Sequence, residues 1–288
     1  MYYSPILFFK IADLNLTQYH NCHIDMTYLN SKENIIIFCL HSMGYLNKFI
    51  PFLNEVNKPF ILITAMEDTQ LPLEIDKEFM LKITNNSYFK HWFSINKTIP
   101  NNDKFTSIPY GLDFWTLTTK PFFGENIQTI IEQNSVFEYI TQNMKHFSER
   151  IPKIYANFHL HLTDERHGGW RSKLLNIIPK DIIYYQPNQI KRAYSYLNIT
   201  NFTFVVSPFG HGFDCIRTFE ALCLGCIVIM KKSFLDIIYE DLPVLLLDEW
   251  SDINKELLEK TLAEFKNKSF NYNKLKIDYW IELVKSKF

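Results

Sequence analysis

The sequence predicts an α/β protein with two parallel sheets, and three observations predict it. Continuous apolar runs rich in β-branched and aromatic residues recur, among them Ile35–Leu40, 60–64, Phe202–Val206, 226–230 and Val244–Leu247. Unbroken rather than alternating apolar strands mark a sheet covered on both faces, as parallel sheets are. Helix-length segments with caps and stops separate these runs, giving strand–helix–strand order. A polar, weakly patterned stretch at 116–150 divides them into two series. We therefore expect two Rossmann-like domains, 1–150 and 151–288, facing each other across a cleft.

Taken in order, 6–11 reads as a strand and 20–25 as a polar loop. Ile35–Leu40 is a buried strand that runs into the loop 41–44. A helix at 45–56 is interrupted by Pro51, which lacks an N–H to continue it. The strand 60–64 leads to Ala65-Met66-Glu67-Asp68, followed by a helix at 76–83 and a strand at 88–95. A short strand, 105–108, enters Pro109-Tyr110-Gly111-Leu112-Asp113. A helix without strong caps is expected at 127–147, and 153–158 opens the second domain as its first strand.

The second domain continues with the loop and helix start 159–175, which carries Arg166, Arg171 and Lys173 around a Gly168-Gly169 pair. After Phe202–Val206 come Gly210-His211-Gly212 and a helix with Asp214 as expected cap. Ile216, Phe219, Leu222 and Cys223 are its apolar positions, and Gly225 is its stop. Ser233 caps a further helix before Val244–Leu247. Two amphipathic helices end the chain. Leu257, Leu258, Leu262 and Phe265 form the apolar side of 252–267, and Ile277, Trp280, Ile281 and Val284 that of 275–285. The last of these either packs on its own domain or returns to the first.

Composition narrows the function classes. With 288 residues, 47% hydrophobic and 21% charged, the chain is globular rather than disordered. A formal net charge of −1 provides no basic field for nucleic acid. Five scattered cysteines form no disulfide framework. Cys223 and Cys226 make a CxxC across a helix end and a strand, which reads as small buried residues rather than a zinc or redox pair. His159, His161 and His167 match no standard zinc spacing. We expect no metal and no cofactor. The amino-terminal apolar stretch is too short to span a bilayer and has no basic flank, so a cytoplasmic protein without a membrane anchor is expected.

The chemistry-bearing stretch is 202–250. A glycine loop between a strand and a helix is where open α/β sheets hold ligands, and helix amino termini favour anions. Arg217 and Glu220 share a face there. One could clamp a diphosphate and the other accept from ribose hydroxyls. The alternative is a surface ion pair on an ordinary helix.

The stretch SPFGHGFDCIRTFEALCLGCIVIM followed by LDIIYEDLPVLLLDEW resembles the carboxyl-terminal half of exostosin-type, GT-B glycosyltransferases. Gly210, Gly212, Asp214, Arg217, Glu220, Gly225, Cys226, Asp241, Pro243 and Trp250 fall on that pattern. HWFSIN (91–96) and SIPYGLDFW (107–115) resemble the same enzymes more weakly. The resemblance implies a nucleotide-sugar donor held by the second domain and a glycan or other hydroxyl acceptor. Many retaining relatives carry two glutamates with seven residues between them. Here Gly212 takes the first position, which points to inversion. Animal members are membrane-anchored, and this chain departs from them in its expected setting.

Inverting transfer needs a base for the acceptor hydroxyl and cations or dipoles for the departing diphosphate. Arg217, the Gly210–Gly212 loop and Arg166 or Arg171 are the candidates for the second task, with a solvated basic loop as the alternative for the latter pair. His211 and Asp214 are expected near the donor sugar. His41, Asp68 and Asp113, each following a predicted strand of the first domain, are the base candidates, with His41 and Asp68 preferred. A catalytically silent nucleotide- or carbohydrate-binding protein of the same fold is the rival reading. A Rossmann oxidoreductase fits poorly, because Cys215 stands where its third glycine belongs.

Overall fold

The structure, a computed structural model, describes residues 1–17, 24–40, 43–65, 68–160 and 170–288. In chain order its elements are β1 (Leu14–Leu16), α1 (Met26–Asn30), β2 (Ile35–Leu40), α2 (Met43–Phe49), β3 (Phe60–Ala65), α3 (Lys77–Thr84), β4 (Phe89–Ser94) and β5 (Phe105–Ser107). Then follow α4 (Thr116–Thr119), α5 (Ile130–Asn143), β6 (Ile151–Ala156), α6 (Trp170–Ile177), β7 (Ile183–Tyr185), α7 (Arg192–Ile199) and β8 (Phe202–Val206). The chain closes with α8 (Ile216–Cys223), β9 (Ile227–Lys231), α9 (Asp236–Tyr239), β10 (Val244–Leu247), α10 (Lys255–Phe265) and α11 (Ile277–Lys285).

Among the described residues these strands form two parallel five-stranded sheets, each the centre of a Rossmann-like unit. One unit comprises Tyr3–Tyr110 and Lys276–Phe288, the other Met1–Tyr2 and Gly111–Leu275.

The first sheet runs β1-β2-β3-β4-β5, with Ile35 beside Phe60 and Leu40 beside Ala65. Parallel crossovers are right-handed, so a strictly sequential order sends every connecting helix to one face. There Leu29 of α1, Leu46 and Phe49 of α2, and Phe79 and Ile83 of α3 share a core with Ile35, Ile37, Cys39, Phe60 and Leu62. The other face needs separate cover. Phe8 and Phe9 meet Phe38 of β2, and Tyr3 bridges Phe8 to Trp280 of α11. The last helix therefore belongs to the first-sheet unit, with Ile277, Trp280 and Val284 buried.

Residues 6–11 are not a strand: Pro5–Lys10 is a 3-10 helix and the first strand is β1. Pro5 presets the helical φ at its first position, and an apolar run this short has no decisive period. It buries Pro5, Ile6, Leu7 and Phe8 as a compact plug rather than a sheet edge.

The second sheet runs β10-β9-β8-β6-β7. The chain steps from β6 outward to β7, then returns to β6's other side for β8, a flavodoxin-type doubly wound order. Helices consequently cover both faces. Leu174 of α6 and Leu258 and Phe265 of α10 pack on Ile154, Ala156, Phe204 and Val206. On the opposite side α7 packs on β8 and α8 on β9, burying Tyr196, Ile199, Phe219 and Leu222.

The stretch 111–150, assigned from sequence to the first domain, lies in the second-sheet unit. Its α5 packs on α7 through Phe137 and Tyr196, whose ring centroids are 4.5 Å apart. The cap expected to be weak is in fact a full capping box: Glu132 N–H donates to Thr129 Oγ1, and Thr129 N–H to Glu132 Oε2.

Candidate functional site

The order reversal lies between β6 and β8, and the crevice it leaves is at their carboxyl ends. Asn157 and Phe158 follow β6; Ser207 to Gly212 follow β8 and lead to α8. Ser207 Oγ is 2.8 Å from Thr218 Oγ1 and 3.1 Å from Cys215 Sγ, which buttons the loop to the first turn of the helix. Gly210 N–H donates to Gly212 O at 3.1 Å. Gly225 ends α8 at φ +72 in a Schellman motif, as its place in the sequence suggested. Its N–H bonds to Leu222 O and that of Cys226 to Ala221 O.

Asp214 is not the cap of α8; that position is Cys215, which makes no side-chain capping bond. Asp214 is buried and accepts from Tyr239 Oη at 2.6 Å and from Cys215 N–H at 2.8 Å. Its partner on α9 pulls the carboxylate inward, so Asp214 holds the loop against that helix.

Two arginines converge on this end of the sheet. Arg217 Nε donates to Asn157 Oδ1 at 2.8 Å, its guanidinium lies 5.7 Å from the Phe158 ring, and Nη1 is 3.9 Å from Cys215 Sγ. Arg171, near the start of α6, is buried and donates through Nε to Phe209 O at 2.9 Å. A Cβ on Gly210 would lie 3.1 Å from Arg171 Nη2. Glycine there is explained by close approach of this guanidinium, since Gly210 is not among the glycines with positive φ. Arg171 therefore braces the loop, and Arg217 is pinned to the β6 end by its Nε.

Glu220, one turn along α8 from Arg217, is not a surface residue. Oε1 accepts from Arg192 Nη2 at 3.1 Å and from Tyr196 Oη at 2.8 Å. The side chains of Arg192 and Glu220 are only 7% and 14% exposed. Arg192 also donates to Tyr196 Oη through Nε and to Asp113 O at 3.0 Å. Burial disfavours the charge on Arg192, but Tyr196, Glu220 and Asp113 outweigh it and its pKa is raised. Burial pushes the Tyr196 hydroxyl well above its ordinary value, so it stays a neutral donor. The network anchors one carboxylate oxygen and leaves Oε2 as a remaining acceptor.

Neither Arg192 nor Tyr196 figured in the sequence reading. Their helix follows Gln186-Pro187-Asn188-Gln189, where polarity masks its start. The i, i+4 spacing of Arg192 and Tyr196 places both on one face and was the available signal.

His41 and Arg166 lie outside the described residues, as do His161 and His167. Asp68 is half-buried three residues past β3. His211 is exposed. Asp113 belongs to the second-sheet unit, is buried, and accepts from Thr116 N–H at 2.9 Å. Cys223 and Cys226 are buried free thiols, and burial pushes that of Cys226 up to about 11. Among the described residues no helix is long and apolar enough to cross a membrane.

No protein-family model matches the sequence, and no curated protein matches it. A solved structure described as trehalose-6-phosphate from E. coli bound with UDP-2-fluoro glucose aligns over 91% of this chain and 72% of its own. Identity is 7% and the TM-score 0.35, a likeness too loose to assign an activity.

Proposed function

We propose that this protein is a glycosyltransferase that moves a sugar from a nucleotide-sugar donor to a glycan or other hydroxyl acceptor. One observation carries the reading. At the reversal of a doubly wound sheet, Arg217 beside a glycine loop and Glu220 with one anchored oxygen stand three residues apart on one short helix. Phosphate oxygens suit a guanidinium fork, and ribose hydroxyls suit the second oxygen of a fixed carboxylate. The sequence resemblance to exostosin-type, GT-B enzymes falls on the same residues.

In this reading the leaving diphosphate is stabilised by Arg217, the α8 amino terminus and the loop braced by Arg171. These charges do the work that a divalent ion does in other transferases, so transfer is metal-independent. Gly212, in place of a first glutamate, fits inversion at the anomeric carbon. Inversion needs a base, and His41 or Asp68 is assigned that task. The deprotonated acceptor oxygen attacks the anomeric carbon as the glycosyl–phosphate bond breaks, and the electron pair leaves on the diphosphate.

Calorimetry with uridine and guanosine diphosphates tests the binding half. Glu220→Gln keeps the shape and lowers affinity by about 1.5–3 kcal/mol, the value of a hydrogen bond to a charged group. Glu220→Ala is a poorer test, because it removes the acceptor of Arg192 and Tyr196 as well as the counter-charge that both variants lose. Unchanged affinity in folded Glu220→Gln protein removes Glu220 from the site. Diphosphate binding without transfer to any acceptor would favour the silent binding protein. Loss of transfer on chelation, or a product with the donor's configuration, would overturn the metal-independent and inverting parts.

A further inference from the structure

The second-sheet unit holds a cavity at the amino ends of its strands, the end away from the glycine loop. It measures about 220 Å³ and opens beneath α10 where β6 begins and β7 is entered. Ile182, Phe204, Leu258 and Leu262 form the inner wall. Three of these are buried core residues, so the floor is the apolar core itself. Around the mouth stand Lys153, Asp181, Lys255 and Glu259, two of each sign, with Lys255 and Glu259 paired at 3.7 Å.

Several features point to a ligand rather than a packing gap. Native interiors leave few voids larger than a water molecule. An apolar cavity of about 150 Å³ already admits benzene and stays dry without it. The present one is larger and has an opening. Its wall offers dispersion contacts and no buried hydrogen-bonding side chain to hold a chain of waters. The first three residues of β6, a strand interior to its sheet, are exposed, so this end of the sheet is left uncovered. The balanced mouth favours no net charge.

We propose that this cavity binds a small, net-neutral aromatic or bicyclic molecule about the size of indole. The site is independent of the donor reading, since it lies at the opposite strand ends from Arg217 and Glu220. It takes its occupant by shape and apolar contact, with α10 as one wall. A ligand there ties α10 to β6 and β7 and stabilises the unit that carries the glycine loop.

The test is titration of the full-length protein with indole, read by methyl NMR of Ile182, Leu258 and Leu262 and by thermal denaturation. The expected result is a saturable shift confined to those methyls and a raised Tm. Indole-3-acetate and tryptamine should bind no tighter than indole, because the mouth is balanced. Leu262→Trp places a ring in the cavity and weakens indole at least about tenfold, since close-packed walls leave no second place. Ile182→Phe fills the same space from the sheet and serves if the first variant fails to fold. Uridine diphosphate, titrated separately, leaves the cavity methyls unmoved. Absence of a saturable shift up to the solubility of indole, which would mean solvent only, overturns the proposal. So does binding of equal strength in both filled variants.

Discussion

Arg192 illustrates, within the glycosyltransferase reading proposed above, how one buried charge fixes the position of another. It is a positioning residue: its fork, Tyr196 and Glu220 form a nearly closed set of hydrogen bonds. Arg192→Leu should cost about 3–5 kcal/mol in urea denaturation, because an unpaired carboxylate stays behind in the protein. Arg192→Lys keeps the charge but loses the planar fork. It should lose less stability, raise donor KM and leave kcat nearly unchanged; a kcat effect alone would refute positioning. His91 supplies a second case, in β4. Its Nδ1 faces the Asp103 carbonyl at 3.0 Å, so Nδ1 carries the proton, and Nε2 accepts from Thr106 Oγ1 at 2.8 Å. Burial, with Lys287, Lys104 and Lys97 nearby, lowers its pKa to about 4, against an opposing bond to Asp103. The unfolded chain takes up a proton near pH 6.5 that the folded one refuses until about pH 4. The contribution of His91 to stability is therefore present above about pH 6.5 and is lost as the pH falls towards about 4, by at most on the order of 3 kcal/mol. His91→Gln should flatten this part of the stability–pH curve, and an unchanged slope would assign it to other groups.

The loop–helix–stop unit around α8 shows what glycine contributes to an element. Gly225 sits at φ +72, and a Cβ there would meet Met144 Cε at 2.8 Å and Arg150 Nη2 at 3.0 Å. Met144 is a flexible side-chain end that can yield, whereas Arg150 is buried and held by Lys145 O and Leu224 O, so its crowding adds to the cost of the positive φ. Gly225→Ala should destabilise by about 1–2 kcal/mol in urea while leaving diphosphate affinity intact. Gly210 is the converse. Gly210→Ala pushes on Arg171 Nη2 without positive-φ strain, so diphosphate affinity should fall several-fold with little loss of Tm. Equal effects of the two substitutions on both readouts would mean that the loop is merely structural. This unit was readable from the sequence because its signals are local: an apolar run, glycines, a helical period and a stop. Asp214 escaped that reading because its partner, Tyr239, lies on another helix. The Pro5–Lys10 plug escaped it because six mostly apolar residues fit either period.

For the whole molecule, the sequential order of the first sheet has a consequence for the carboxyl terminus. With all its crossovers on one face, the other face depends on Tyr3, Phe8 and α11. Trp280→Ala should cost about 3–5 kcal/mol, the range for emptying a buried large aromatic. Ending the chain at Leu275 should expose that face to a hydrophobic dye, and a truncated protein with native Tm would contradict the assignment. Sequence patterning specified that there are two parallel sheets, where most strands begin, and that a glycine loop, Arg217 and Glu220 share one helix start. These follow from period and turn chemistry, which act over a few residues. Strand order, the unit to which 111–150 and 276–288 belong, and the Arg192–Tyr196 anchor on Glu220 were settled by packing. Each depends on surfaces that meet only after the chain has folded back on itself, and no local period records which surface will be left to cover.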